Sequence, residues 1–107
     1  MSTKKSYGLE SLNKKLGSIT VGIFLRSWRE SEENTQQEFA KILNMSSANL
    51  CDIEKGRKGV SPQKAAEIAE IIGYSPTVLI ELALKEQLKD AGLAYEVTIT
   101  PSSKKAV

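Results

Sequence analysis

The chain contains no histidine, so it lacks the commonest general base and the commonest zinc ligand. Its single cysteine, Cys51, excludes an internal disulfide, a Cys/His dyad and any cysteine-rich metal site. A lone thiol fits a reducing compartment, and the expected location is the cytoplasm. No apolar run approaches the roughly 18 residues needed to span a membrane. The basic start, MSTKKSYG, is not followed by a hydrophobic segment of the signal-peptide kind. Carboxylate pairs such as Glu32–Glu33 remain, but in a short polar loop such a pair is ordinarily solvated surface. These absences point away from an enzyme, and no metal or cofactor is expected.

A length of 107 residues is one domain's worth, enough for a single modest core. Hydrophobic residues make up 40% and charged residues 26%, both ordinary for a globular chain. A net charge of +2 is no polycation, yet the basic residues are unevenly placed. Lys41, Lys55, Arg57, Lys58 and Lys64 face only Asp52 and Glu54 across residues 41–64. Lys4, Lys5, Lys14 and Lys15 bias one end, and Lys104 and Lys105 the other. Local basic patches on a near-neutral chain suit an anionic polymer, although solubility alone is also served by them.

The apolar spacing predicts an all-α chain. Residues 1–18 read as a basic arm and a short helix carrying Leu9, Leu12 and Leu16. Thr20 caps VGIFLRSWRES, in which Val21, Phe24, Leu25 and Trp28 form a buried stripe. Thr35 and Glu38 make a capping box for TQQEFAKIL, and Asn44 ends that helix because it tolerates a left-handed backbone. Ser46 caps SANLCDIEK, anchored by Leu50 and Ile53 and stopped at Gly56. Ser61-Pro62 and Ser75-Pro76 each pair an N-cap with a proline in the first helical position. They open two further helices, inward at Ala65, Ile68, Ala69 and Ile72, and at Leu79, Leu82, Ala83 and Leu88. The period then changes to two in YEVTIT, predicting a strand over Tyr95–Thr100 within a tail of residues 93–107. A single strand needs a partner, most simply a second copy of the chain.

Two short helices joined by a tight turn can form a helix-turn-helix unit. Its second helix must be short, anchored by few apolar residues, and polar on the face that enters a major groove. The helix over about 47–55 meets this, with Ser47, Ala48, Asn49 and Asp52 directed away from Leu50 and Ile53. The capped N-termini at Thr35, Ser46 and Ser61 present amide groups to phosphates.

The run TQQEFAKILNMSSANLCDIEKGRKGVSP resembles the Cro/phage-repressor-like (XRE) helix-turn-helix family. Thr35-Gln36, Ala40, Ser46, Leu50, Ile53-Glu54, Gly56, Arg57 and Ser61 stand in that family's pattern, and with flanking helices the likeness covers about 19–90. Asn44 replaces the usual turn glycine, and Cys51 replaces a serine, as a small packing residue. The resemblance implies a five-helix, lambda-repressor-like bundle over residues 19–92, with the C-terminal strand left for dimerisation. It implies that Gln36 holds a phosphate or braces the recognition helix. Ser46, Ser47, Ala48, Asn49 and Asp52 then lie at the DNA. Asn49 suits adenine, Ala48 a thymine methyl and Asp52 a cytosine amino group, unless Lys55 or Arg57 orients Asp52 instead. Ser47 reads a base or only supports the helix start. Arg57 and Lys58 become the main phosphate clamps, with Lys55 and Lys64 weaker ones. Arg29 and Glu54 become an ion pair that orients the recognition helix.

Two functions follow from this layout. One is a homodimeric repressor of its own operator, bound to double-stranded DNA at two half-sites. The other is an antitoxin resembling the HigA and HipB types, which binds a partner toxin and represses its own operon with the same helices.

Overall fold

The computed structural model describes residues 19–102. The basic arm, the helix expected around Leu9, Leu12 and Leu16, and the lysines of the tail lie outside the described residues. Five α-helices follow one another: α1 (Val21–Ser31), α2 (Gln36–Ile42), α3 (Ser47–Glu54), α4 (Pro62–Ile72) and α5 (Pro76–Asp90). None is long and apolar enough to cross a membrane.

Each helix starts on a hydroxyl that accepts from the third amide within it, satisfying one donor that the helix cannot pair itself. Thr20, Thr35, Ser46, Ser61 and Ser75 take the amides of Ile23, Glu38, Asn49, Lys64 and Val78. At Thr35 the box is reciprocal, because the Thr35 amide donates to Glu38 Oε1 at 2.9 Å. The ends are equally local. Asn44 adopts φ 60°, and the Met45 amide reaches back to the Ala40 carbonyl at 2.9 Å. This six-to-one closure lets the chain leave α2 and enter α3 within a few residues. The same closure ends α1, where the Asn34 amide donates to the Arg29 carbonyl and the left-handed residue is Glu33, also at φ 60°.

The described chain divides into two compact units between Gly59 and Val60. In the first, α3 packs on both α1 and α2. Its core is Val21, Phe24 and Leu25 from α1, Phe39, Ala40 and Leu43 from α2 and the residue after it, and Leu50 and Ile53 from α3. Phe24 and Trp28 stack with ring centroids 5.9 Å apart. Gly22, also buried, lies in the first turn of α1 against the backbone at the end of α3. A Cβ at that position would sit inside the Ile53 carbonyl oxygen and 3.2 Å from Glu54 Cα. In the second unit α4 packs against α5, burying Ala65, Ile68, Ala69, Leu79 and Ala83.

The expected C-terminal strand does not form. Residues 93–102 carry no regular structure, and no strand occurs among the described residues. The physical reason is that a strand exists only within a ladder, and the described chain offers this segment no second strand. The period-two pattern survives only in part, as burial: Val97 and Ile99 are half-buried and Glu96, Thr98 and Thr100 exposed, but Tyr95, which the pattern groups with Val97 and Ile99, is exposed as well.

Candidate nucleic-acid interface

Helix α3 holds its place with little apolar bulk. Leu50 and Ile53 are the two large apolar side chains it buries, each contributing about 1.5–3 kcal/mol by removal from water. Its other faces carry small or polar groups. Ala48 is exposed, while Ser47, Asn49, Cys51 and Asp52 are half-buried. Ser46, the N-cap, is exposed at the end of α3 that follows the turn.

Two buried aliphatic anchors do not by themselves fix a helix about its axis, and a charged clamp adds what they lack. Glu54, at the last turn of α3, has a side chain only 2% exposed. Arg29 of α1 grips it with both ends of its guanidinium fork, Nε donating to Oε2 at 2.8 Å and Nη2 to Oε1 at 3.0 Å. Gln36, the first residue of α2, donates from Nε2 to the same Oε1 at 2.9 Å. The third nitrogen of Arg29 donates to the Asn34 carbonyl at 3.1 Å, in the loop leading to α2. One carboxylate therefore joins the three described helices of this unit. The hydrogen bond to Glu54 is the main reason the Arg29 pKa rises above its already high ordinary value, with burial opposing it. Among the described residues no buried side-chain nitrogen or oxygen lacks a hydrogen-bond partner, as a buried charge requires.

Beyond Glu54 the chain turns at Gly56, whose φ of 79° is a left-handed conformation that a side chain would resist. The Arg57 amide closes the turn on the Asp52 carbonyl at 2.9 Å. The turn sends two exposed cations back along α3. Arg57 Nη1 lies 3.8 Å from Asp52 Oδ1, and Lys58 Nζ donates to Asn49 Oδ1 at 2.6 Å. Lys55 is exposed at the C-cap. Lys64 lies in the second unit, 3.6 Å from Glu67.

The structure thus gathers Ser46, Ser47, Ala48, Asn49, Asp52, Lys55, Arg57 and Lys58 on α3 and the loop after it. It places Gln36 on Glu54, the bracing alternative of the two expected for it. Two contributors were missed in the sequence. Gly22 reads there as a weak helix residue, and only a close approach of backbones explains it. Glu33 carries no signal of its left-handed backbone, since glutamate has no preference for it.

A short, sparsely anchored second helix, a tight turn before it and a cationic loop after it define a helix-turn-helix protein of the DNA-binding class. The model of the helix-turn-helix domain family matches residues 20–82, more than half of the chain, and the protein belongs to that family. No curated protein and no solved structure matches it.

Proposed function

We propose that this protein is a sequence-specific transcriptional regulator that binds double-stranded operator DNA as a homodimer and represses its own gene. Within the helix-turn-helix family we read it as a Cro/phage-repressor-like member. The observation that carries the reading is the division of labour along α3. Leu50, Ile53 and Glu54 face the protein, and the remaining residues are too small or too polar to serve a core. In the proposed complex α3 enters the major groove. Ala48, Asn49 and Asp52 face base edges, and Ser47 supports the helix start. The amides at the capped ends of α2 and α3, with Lys55 and Arg57, take phosphates.

A single unit of this size makes few contacts, and specific affinity comes from two half-sites about 34 Å apart on one DNA face. Exposed Ile71, Val78, Leu93 and Tyr95, all outside the α2–α3 pair, are the apolar surface available for the second copy. The same four side chains favour the antitoxin as the second reading, in which they receive a partner toxin while α3 keeps its role. A small toxin gene adjacent to this one would decide for it.

The test is a salt titration of duplex binding followed by fluorescence anisotropy. Log affinity should fall linearly with log salt, and Arg57→Ala should reduce the slope by about 0.9. A slope that is unchanged in Arg57→Ala contradicts the phosphate role.

A further inference from the structure

The amide of Asn49 already has partners within the protein. Lys58 Nζ lies 2.6 Å from one terminal atom, and an ammonium can only donate, so that atom is the acceptor Oδ1. The other terminal atom is therefore the donor Nδ2, which points to Met45 Sδ at 3.8 Å, a long contact to a weak acceptor. The orientation of the amide is thus set from both sides. The lysine contact is charge-assisted and short, the stronger kind of hydrogen bond. The Gly56 turn brings the lysine there, by folding the loop back over a helix whose residue 49 lies nine positions earlier in the chain.

This changes what Asn49 can read. A free asparagine recognises adenine because it offers one acceptor for the N6 amino group and one donor for N7. Oδ1 keeps a second lone pair, but it lies beside the ammonium, so the groups that Asn49 and Lys58 can turn to a base away from that charge are donors: the remaining Nδ2 hydrogens and the unused ammonium hydrogens. Guanine shows two acceptors, N7 and O6, on its major-groove edge, whereas the adenine amino group would meet a donor and a positive charge. We infer that Lys58 and Asn49 act as one donor-only unit that selects guanine over adenine in the operator. This assigns to Lys58 a base-reading role in place of the phosphate clamp expected from the sequence. It rests on the proposal that α3 reads the major groove.

The test selects bound duplexes from a random pool with the full chain, its Asn49→Ala variant and its Lys58→Met variant, which keeps the aliphatic stem. Lys58 is exposed and Asn49 half-buried, and circular dichroism confirms equal helix content. The wild type should enrich a site with guanine at the position whose preference disappears in Asn49→Ala. In Lys58→Met that position should turn to adenine, with each wrong base weakening binding about tenfold. Adenine at that position in the wild type, or guanine persisting in Lys58→Met, overturns the donor-only unit while leaving groove reading intact. Identical motifs from the wild type and Asn49→Ala, or no motif at all, overturn the groove reading of Asn49 and the inference with it.

Discussion

Replacing Gly22 by alanine separates local from tertiary energetics, because the two act in opposite directions. Within α1 taken alone the change gains about 1 kcal/mol in helix propensity. In the folded chain the new methyl would overlap the Ile53 carbonyl oxygen, lie 3.0 Å from the carbonyl carbon and 3.2 Å from Glu54 Cα. All three are backbone atoms that no rotamer change can move. Ordinary carbon–oxygen contact is about 3.3 Å, so the end of α3 must withdraw from α1 by on the order of 1 Å. If the helices held, overpacking would cost about 1–3 kcal/mol. If they part, the 2.8 and 3.0 Å bonds from Arg29 to Glu54 stretch out of range, and breaking a buried pair costs about 3–5 kcal/mol. The second course matches the backbone clash, and after the propensity gain the net loss is about 2–4 kcal/mol. Thermal unfolding followed at 222 nm should show Tm lowered by about 10 °C or more. A Tm equal to or above that of the parent chain would refute the close approach of α1 and α3.

Other substitutions probe the remaining supports. Arg29→Met leaves the Glu54 carboxylate buried with Gln36 alone and should lose about 3 kcal/mol in urea unfolding; a loss under 1 kcal/mol would show that the clamp is dispensable. The Arg29 pKa is raised on folding, so its contribution is complete at neutral pH, where Glu54 is ionised, and is lost on the alkaline side only as pH climbs through the folded value. The stability gap between parent and Arg29→Met should therefore stay level from about pH 7 to 10, and a gap closing in that window contradicts the assignment. Glu33→Gly relieves a left-handed backbone at a surface turn and should stabilise by about 0.5–1 kcal/mol, seen as a raised urea midpoint. Thr35→Ala removes one half of the capping box and should cost about 1 kcal/mol in the same assay.

What could be read from the chain follows the range of the interactions involved. Thr20, Thr35, Ser46, Ser61 and Ser75 cap helices through bonds spanning three residues, so residue type and spacing suffice to find them. Asn44 announced its left-handed backbone by its chemistry, and Glu33, in the equivalent turn after α1, did not. Gly22 is the opposite case, since its meaning lies in the backbone of Ile53, thirty-one positions away, to which no local pattern points. The Arg29–Glu54 pair was reachable only through the family resemblance. The path of the loop after Gly56, which carries Lys58 onto Asn49, was not reachable at all. In the tail, period-two spacing matches burial at Val97 and Ile99 but not at Tyr95, and it misleads as a sign of a strand, because a strand requires a neighbour that spacing cannot supply.

The central claim is that α3 reads the major groove from two copies of the chain acting together. Selecting bound duplexes from a random pool with the unmodified protein tests it most directly, since one motif reports both reading and pairing. Two inverted half-sites are expected, with centres about 10–10.5 base pairs, or a multiple of that, apart. A single unrepeated motif, half-sites at non-helical spacing or no enrichment would contradict it.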